Sequence, residues 1–326
     1  MPSKPKVLVT RDLPGDAISW LRGRFNVDLP SPDENIGRER LLEHLPDKQG
    51  LLCLLTDRID AEVLAIAPLL KVISVCAVGY NNVDVKEATR RGMIITNTPG
   101  VLRETTADLA WALLLATARR IPEGDRMVRS GRFLGWSPSL LLGHDVHGKT
   151  LGIVGMGDIG TAVARRAAGF GMRILYHNRN PSPLAAEVRA EMVSLDHLLS
   201  DADFVSLHVP LSQSTRHLIG KRELDLMKPT AVLINVSRGE VIDEAALAEA
   251  LKQGRIAGAG LDVFENEPKL APGLVGLENV VLTPHIGSAS VETRQRMARI
   301  AVDNLADALE GRTPKHMVNP QVLRDI

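Results

Sequence analysis

The sequence predicts an α/β chain with parallel sheets, organised as about two domains. Three observations carry this reading. Short apolar runs alternate with helical stretches along all 326 residues. One run passes straight into Gly155-x-Gly157-x-x-Gly160 and then a helix. Two long helical stretches bracket a middle block, so the first domain is interrupted by the second.

The first domain is expected over 1–99 and 288–326, and the second over 100–287. In the first, KVLV, LLCLL, KVISV and MIIT are the candidate strands. Such continuous apolar runs suit parallel strands covered on both faces. The chain then turns at Thr98–Pro99–Gly100 into a long helix, ETTADLAWALLLATARRI, with Thr105 or Thr106 as N-cap and Pro122 past its end. In the second domain the strands are LGIVG, RILYH, FVSLHV, AVLINV, AGAGLDV and VVLTP, with the helix Glu244–Lys252 among the elements between them. The closing helix runs over Val291–Leu309. Met297, Ile300, Ala301, Leu305 and Leu309 form its apolar stripe, and Gly311 stands where a C-cap belongs.

Composition excludes several functions. Lys+Arg and Asp+Glu are both 39 and aromatics are 3%, so neither an electrostatic footprint nor stacking platforms for nucleic acid are present. Cys53 and Cys76, the only cysteines, cannot build a disulfide framework or a cysteine-rich metal site, and both read as buried thiols. No metal is expected. The N-terminus has a three-residue apolar run, too short for a signal peptide, and the longest run, 109–116, is too short to span a bilayer. A soluble, cytoplasmic protein without membrane contact is expected.

The glycine motif carries the clearest chemistry. Gly155 permits a tight turn, Gly157 lets backbone approach a pyrophosphate, and Gly160 lets helix and strand pack closely. The helix N-terminus then offers its N–H groups to the phosphates. The second strand ends in His177–Asn178–Arg179–Asn180, about 20 residues on, where an NAD site usually carries an acid. Arg179 instead suits the 2′-phosphate of NADP. The stretch Gly143–Thr150 fits the Walker A spacing literally but precedes a strand, with no helix to receive a triphosphate.

Three later strands end in polar residues: Arg238 in INVSRGEVID, Glu267 in GLDVFENEP and His285 in LTPHIGSAS. Carboxyl ends of parallel strands line the ligand crevice of an open sheet. An Arg to clamp a carboxylate, a His to give a proton and a Glu to hold that His cationic form the set needed to reduce a 2-oxoacid.

These segments, with VGYNNVDV, NTPGVLRETTADLAWALLLATARR and MKPTAVLINVSRGEVIDEAAL, resemble the D-isomer-specific 2-hydroxyacid dehydrogenases over essentially the whole chain. Within that family the likeness is to glyoxylate/hydroxypyruvate reductases and 2-ketogluconate reductases. The resemblance implies a central Rossmann domain inserted in a flavodoxin-like substrate domain, usually as a homodimer. It implies a nicotinamide cofactor and a small 2-oxoacid or 2-hydroxyacid as substrate; Arg179, where many relatives carry an Asp, favours NADPH, with NAD possible. Arg238, Glu267 and His285 are the implied catalytic residues, and the amides of Val78 and Gly79 join Arg238 in holding the substrate. Implied cofactor contacts are Gly155, Gly157, Asp158, Ile159, Gly160, Asn178, Arg179, Asn180, Pro210, Val236, Asp262, His285 and Gly287. Related glyoxylate reductases carry Trp-x-Pro-x-Trp where this chain has Trp136–Ser137–Pro138–Ser139–Leu140, so Leu140 leaves room for a longer substrate. A dinucleotide-sensing, corepressor-like binding protein is the alternative use of the same fold.

Overall fold

In the computed structural model, which describes residues 4–324, the chain forms two compact units. One comprises residues 1–102 and 289–326, the other 103–288. These joins fall slightly beyond the expected 99/100 and 287/288, because a helix takes up the chain at Arg103.

The first unit holds β1 (Lys6–Val9), α1 (Ala17–Arg24), β2 (Asn26–Asp28), α2 (Arg38–His44), β3 (Gly50–Cys53), α3 (Ala61–Ala65), β4 (Val72–Val75), α4 (Val85–Arg90) and β5 (Ile94–Thr96). Its strands are all parallel in the order β2-β1-β3-β4-β5, the flavodoxin-like arrangement. One face buries Leu51, Ile73 and Ile95 under α2, α3 and α4. The other buries Val7, Val9, Leu52 and Val72 against α1 and the closing helix, Val291–Leu309. On that helix Met297, Ala298, Ala301, Val302 and Leu305 are buried, whereas Ile300 and Leu309 of the expected stripe are only half-buried. Asn319, with no exposed surface, accepts from Ile95 N at 2.8 Å and donates to Met93 O and Thr89 Oγ1.

The second unit contains α5 (Arg103–Ala118), α6 (Ile121–Arg129), β6 (Thr150–Val154), α7 (Asp158–Ala167), β7 (Arg173–His177), β8 (Glu191–Met192), α8 (Leu195–Asp201), β9 (Phe204–Leu207), α9 (Lys221–Leu226), β10 (Val232–Asn235), α10 (Glu244–Lys252), β11 (Gly258–Leu261) and β12 (Val280–Leu282). The closing helix is α11. The seven strands are parallel in the order β12-β11-β10-β9-β6-β7-β8, a Rossmann order lengthened by one strand. Its direction reverses between β6 and β9, and ligands bind outside the carboxyl ends of strands at such a switch point.

Ten strands are expected from sequence, yet twelve form among the described residues. The extra two, β2 and β8, are short edge strands of mostly polar, partly exposed residues with no apolar run to reveal them. Neither Thr105 nor Thr106 caps α5; both lie inside it, because the helix starts at Arg103. Pro122 lies past the end of that helix as expected, in the first turn of α6, where its missing N–H costs nothing.

Candidate active site at the strand ends

The Gly155 loop is built by close approach. Gly155 has φ +101°, and a Cβ there would lie 2.7 Å from the His208 carbonyl carbon. A Cβ on Gly160 would lie 2.2 Å from Gly155 O, so α7 presses directly on the loop. Gly157, the N-cap of α7, faces open space within 4 Å. Asp158 and Ile159 open α7, whose first N–H groups have no intrahelical partner. The buried Thr161 Oγ1 and His208 Nδ1 lack partners among the described residues. Tight backbone on two sides and room on the third fit a dinucleotide pyrophosphate.

Asn178 braces this loop: its Oδ1 accepts from Met156 N at 2.7 Å. Arg179 and Asn180 are exposed, and Arg179 pairs with no carboxylate among the described residues. Pro210 is exposed beyond β9, while Val236 is 7% exposed beyond β10. The Gly143–Thr150 stretch enters β6 with no helix, as its context requires.

Arg238 follows β10, and its stem is set by an Asn235 turn. Asn235 Oδ1 accepts from Ser237 N and Oγ, and Nδ2 donates to Arg238 O at 2.9 Å. Burial pushes the Arg238 guanidinium below its ordinary range, with Glu240 and Glu267 acting the other way. Gly239 comes next, and a Cβ on it would sit 1.8 Å from the Phe264 carbonyl carbon. The Arg238 turn therefore lies flat against the loop that carries Glu267.

Glu267 bridges two donors. Its Oε1 accepts from Phe264 N at 3.0 Å, and its Oε2 lies 2.8 Å from His285 Nδ1. Burial raises its carboxyl, but the His285 contact, the Phe264 amide and Arg238 outweigh this and hold it below the usual carboxylate range. His285 has φ +53°, a strained conformation for a non-glycine residue. Asp262, 1% exposed at the end of β11, holds that loop. Its Oδ1 accepts from Thr283 Oγ1 and Ile286 N, its Oδ2 from Gly287 N at 2.7 Å, and its carbonyl from His285 N. Burial pushes its carboxyl up against these bonds.

Arg238, Asp262, Glu267, His285 and Gly287 are thus assembled within the second unit. Val78 and Gly79 lie in the first, beyond β4, where Asn97 Nδ2 donates to Val78 O at 2.8 Å. Neither of their amides donates to a backbone carbonyl among the described residues. Among those residues no three His, Cys, Asp or Glu side chains are grouped to hold a metal, and no helix is long and apolar enough to cross a membrane.

Residues 111–287 match the family model for the NAD-binding domain of D-isomer-specific 2-hydroxyacid dehydrogenases. A glyoxylate reductase of Thermococcus gammatolerans is 52% identical over 98% of both chains. The chain belongs to the D-isomer-specific 2-hydroxyacid dehydrogenase family. A crystal structure of a glyoxylate reductase from Paecilomyes thermophila is 38% identical, with a TM-score of 0.87 over 98% of this chain and 100% of that one. An NADPH-dependent glyoxylate/hydroxypyruvate reductase from Sinorhizobium meliloti, solved with NADP and malonate, is 34% identical, with a TM-score of 0.85 over 97% of each chain. As a D-2-hydroxyacid dehydrogenase the protein is an oxidoreductase with a nicotinamide-dinucleotide domain. Asn235 and Gly239 brace the Arg238 turn, and sequence reading passed over both. Their signal was present: a buried strand ending in Asn and a Gly directly after the key Arg.

Proposed function

We propose that this protein reduces a small 2-oxoacid to the D-2-hydroxyacid, using NADPH in preference to NADH. One observation carries the reading: Glu267 Oε2 and His285 Nδ1 are paired at 2.8 Å at adjoining strand ends, with the buried Arg238 turn packed on the Glu267 loop. The cofactor, when bound, supplies the hydride. Arg238 clamps the substrate carboxylate with its planar fork and polarises the carbonyl. Glu267 fixes His285 with Nδ1 as donor, which leaves Nε2 to hand a proton to the developing alkoxide. The amides of Val78 and Gly79 are the further carboxylate holders, in a turn where successive N–H groups favour an anion. The first unit is the substrate domain and the second the dinucleotide domain.

Arg179, exposed and unpaired with acid, supports the NADP preference. The NADPH-dependent relative from Sinorhizobium meliloti supports it too. Candidate substrates are glyoxylate, hydroxypyruvate and 2-ketogluconate, with Leu140 favouring the longer ones. The protein acts as a cytoplasmic homodimer. Support for the dimer comes from exposed apolar side chains within 121–142, where Leu134 is 97% and Trp136 85% exposed. The test is a panel of glyoxylate, hydroxypyruvate, 2-ketogluconate and pyruvate with NADPH and with NADH, on wild type and His285→Ala. The variant should lose about 10²–10⁴-fold in turnover while still binding NADPH. Absence of turnover with every pair would favour a dinucleotide sensor instead.

A further inference from the structure

Glu244 stands at the first turn of α10, yet it is 3% exposed. An acid there commonly serves only the helix dipole from solvent. This one faces inward and reaches a different loop. Its Oε1 accepts from the Glu265 amide at 2.6 Å. Asp243, not Glu244, caps the helix, through Ala246 N. The carboxylate is therefore free of helix duty and committed to the Glu267 loop.

The same Phe264–Glu265 peptide is gripped twice by the segment that follows Arg238. Gly239 packs against it, with a Cβ position 2.3 Å from Glu265 N. Glu244 takes its N–H. On the other side Phe264 N donates to Glu267 Oε1. A continuous chain of contacts thus runs from the Arg238 turn, through Glu244 and the 264–265 peptide, to Glu267 and His285.

We propose that Glu244 is a positioning residue for the reduction, holding the Glu267 loop in register with Arg238 and adding buried negative charge behind the Glu267–His285 pair. The inference rests on the oxidoreductase reading above. The charged groups that act on Glu244 are Glu265 and Glu267 on the loop, while Arg238 and Glu240, earlier on its own segment, act on each other. Glu265 is itself paired with His217 at 2.7 Å and Arg216 at 3.5 Å. Burial, and then Glu265 and Glu267, push the Glu244 carboxyl above its usual range, while the amides of Glu265 and Ala271 oppose them. Ionised, it adds to the negative charge beside Glu267.

Two variants separate grip from charge. Glu244→Gln keeps the length and one acceptor but removes the charge. Glu244→Asp keeps the charge but falls short of Glu265 N. A displaced reacting group of about 1 Å costs up to ~10²-fold. Each variant is measured for kcat and KM with glyoxylate, NADPH affinity, pH profile, and amide hydrogen exchange over 264–271. Glu244→Gln should lower kcat roughly tenfold or more, leave NADPH affinity near wild type, and move the alkaline limb to lower pH. Glu244→Asp should lower kcat while leaving that limb in place. In Glu244→Asp the Glu265 amide should exchange much faster while β9 and β10 stay protected; in Glu244→Gln, which swaps a charge-assisted bond for a weaker neutral one, it should exchange faster by a smaller factor. Wild-type kcat, limb and exchange in folded Glu244→Gln overturn the proposal. If Glu244→Gln does not fold, wild-type kcat and exchange in Glu244→Asp overturn it. If the wild type reduces none of the 2-oxoacids, the reaction reading fails, and exchange still decides whether Glu244 holds the loop.

Discussion

Glu267→Gln changes one atom, and the structure fixes which one matters. Oε1 of Glu267 already accepts from Phe264 N. A glutamine keeps that bond only by placing its carbonyl there, which turns its NH₂ toward His285 Nδ1. The imidazole must then accept at Nδ1, so the proton-donating cation loses its partner and meets a donor. A hydrogen bond to a charged group contributes ~1.5–3 kcal/mol. At 1.36 kcal/mol per pH unit, the alkaline limb of kcat/KM for reduction should fall by about one to two units. The direction follows from the sign: a carboxylate stabilises the cation, so without it the donor form disappears earlier as pH rises. The assay is glyoxylate reduction at saturating NADPH across the pH range, with NADPH affinity measured alongside. An unmoved alkaline limb would refute coupling between Glu267 and His285.

Arg238→Lys keeps the charge but loses the two-donor fork, so kcat/KM should drop by roughly ten- to a hundredfold; near-normal kinetics would remove Arg238 from the clamp. Arg179→Asp should turn cofactor preference from NADPH toward NADH by about tenfold or more, read as the ratio of catalytic efficiencies. Gly160→Ala places a Cβ 2.2 Å from Gly155 O, which should cost about 1–3 kcal/mol of stability and weaken dinucleotide binding; an unchanged Tm and Kd would contradict the packing. Cys53 is buried as expected, whereas Cys76 is only partly buried; desolvation still pushes its thiol up to about 12, so at pH 8 it should react slowly with thiol reagents, and faster once the protein unfolds.

Much of this fold is legible because buried parallel strands announce themselves. Gly258–Leu261 and Val232–Asn235 have no exposed residue, and such runs need no partner to be seen. Edge strands such as Glu191–Met192 are held by neighbours, not by their own pattern. Arg238, Glu267 and His285 are legible as a candidate site because each follows a strand and strand ends converge. What escapes is the bracing: Asn235 holds the turn of its own next three residues, while Gly239 and Glu244 act through contacts with a loop distant in sequence. Glu244 reads as an ordinary first-turn acid until the loop 21 residues away is placed against it. The Thr105–Thr106 misreading has the same origin. Local cap chemistry favoured a threonine, but Thr106 is buried inside α5, which starts before it.

The first unit is made from both ends of the chain, and this dictates an order of assembly on the ribosome. By the time residue 102 emerges, all five strands of its sheet exist. The face formed by Val7, Val9, Leu52 and Val72 still lacks Ala298, Ala301, Val302 and Leu305 of α11. Ser74 Oγ waits for Ala301 O, 227 residues later. At ~5–20 residues per second that wait lasts roughly eleven to forty-five seconds. Throughout it the nascent sheet presents apolar surface that a chaperone can bind. The inserted unit is complete before α11 is made. α11, made after the inserted unit, closes the core begun before it, so a chain lacking α11 carries an unfinished first unit and a finished second one.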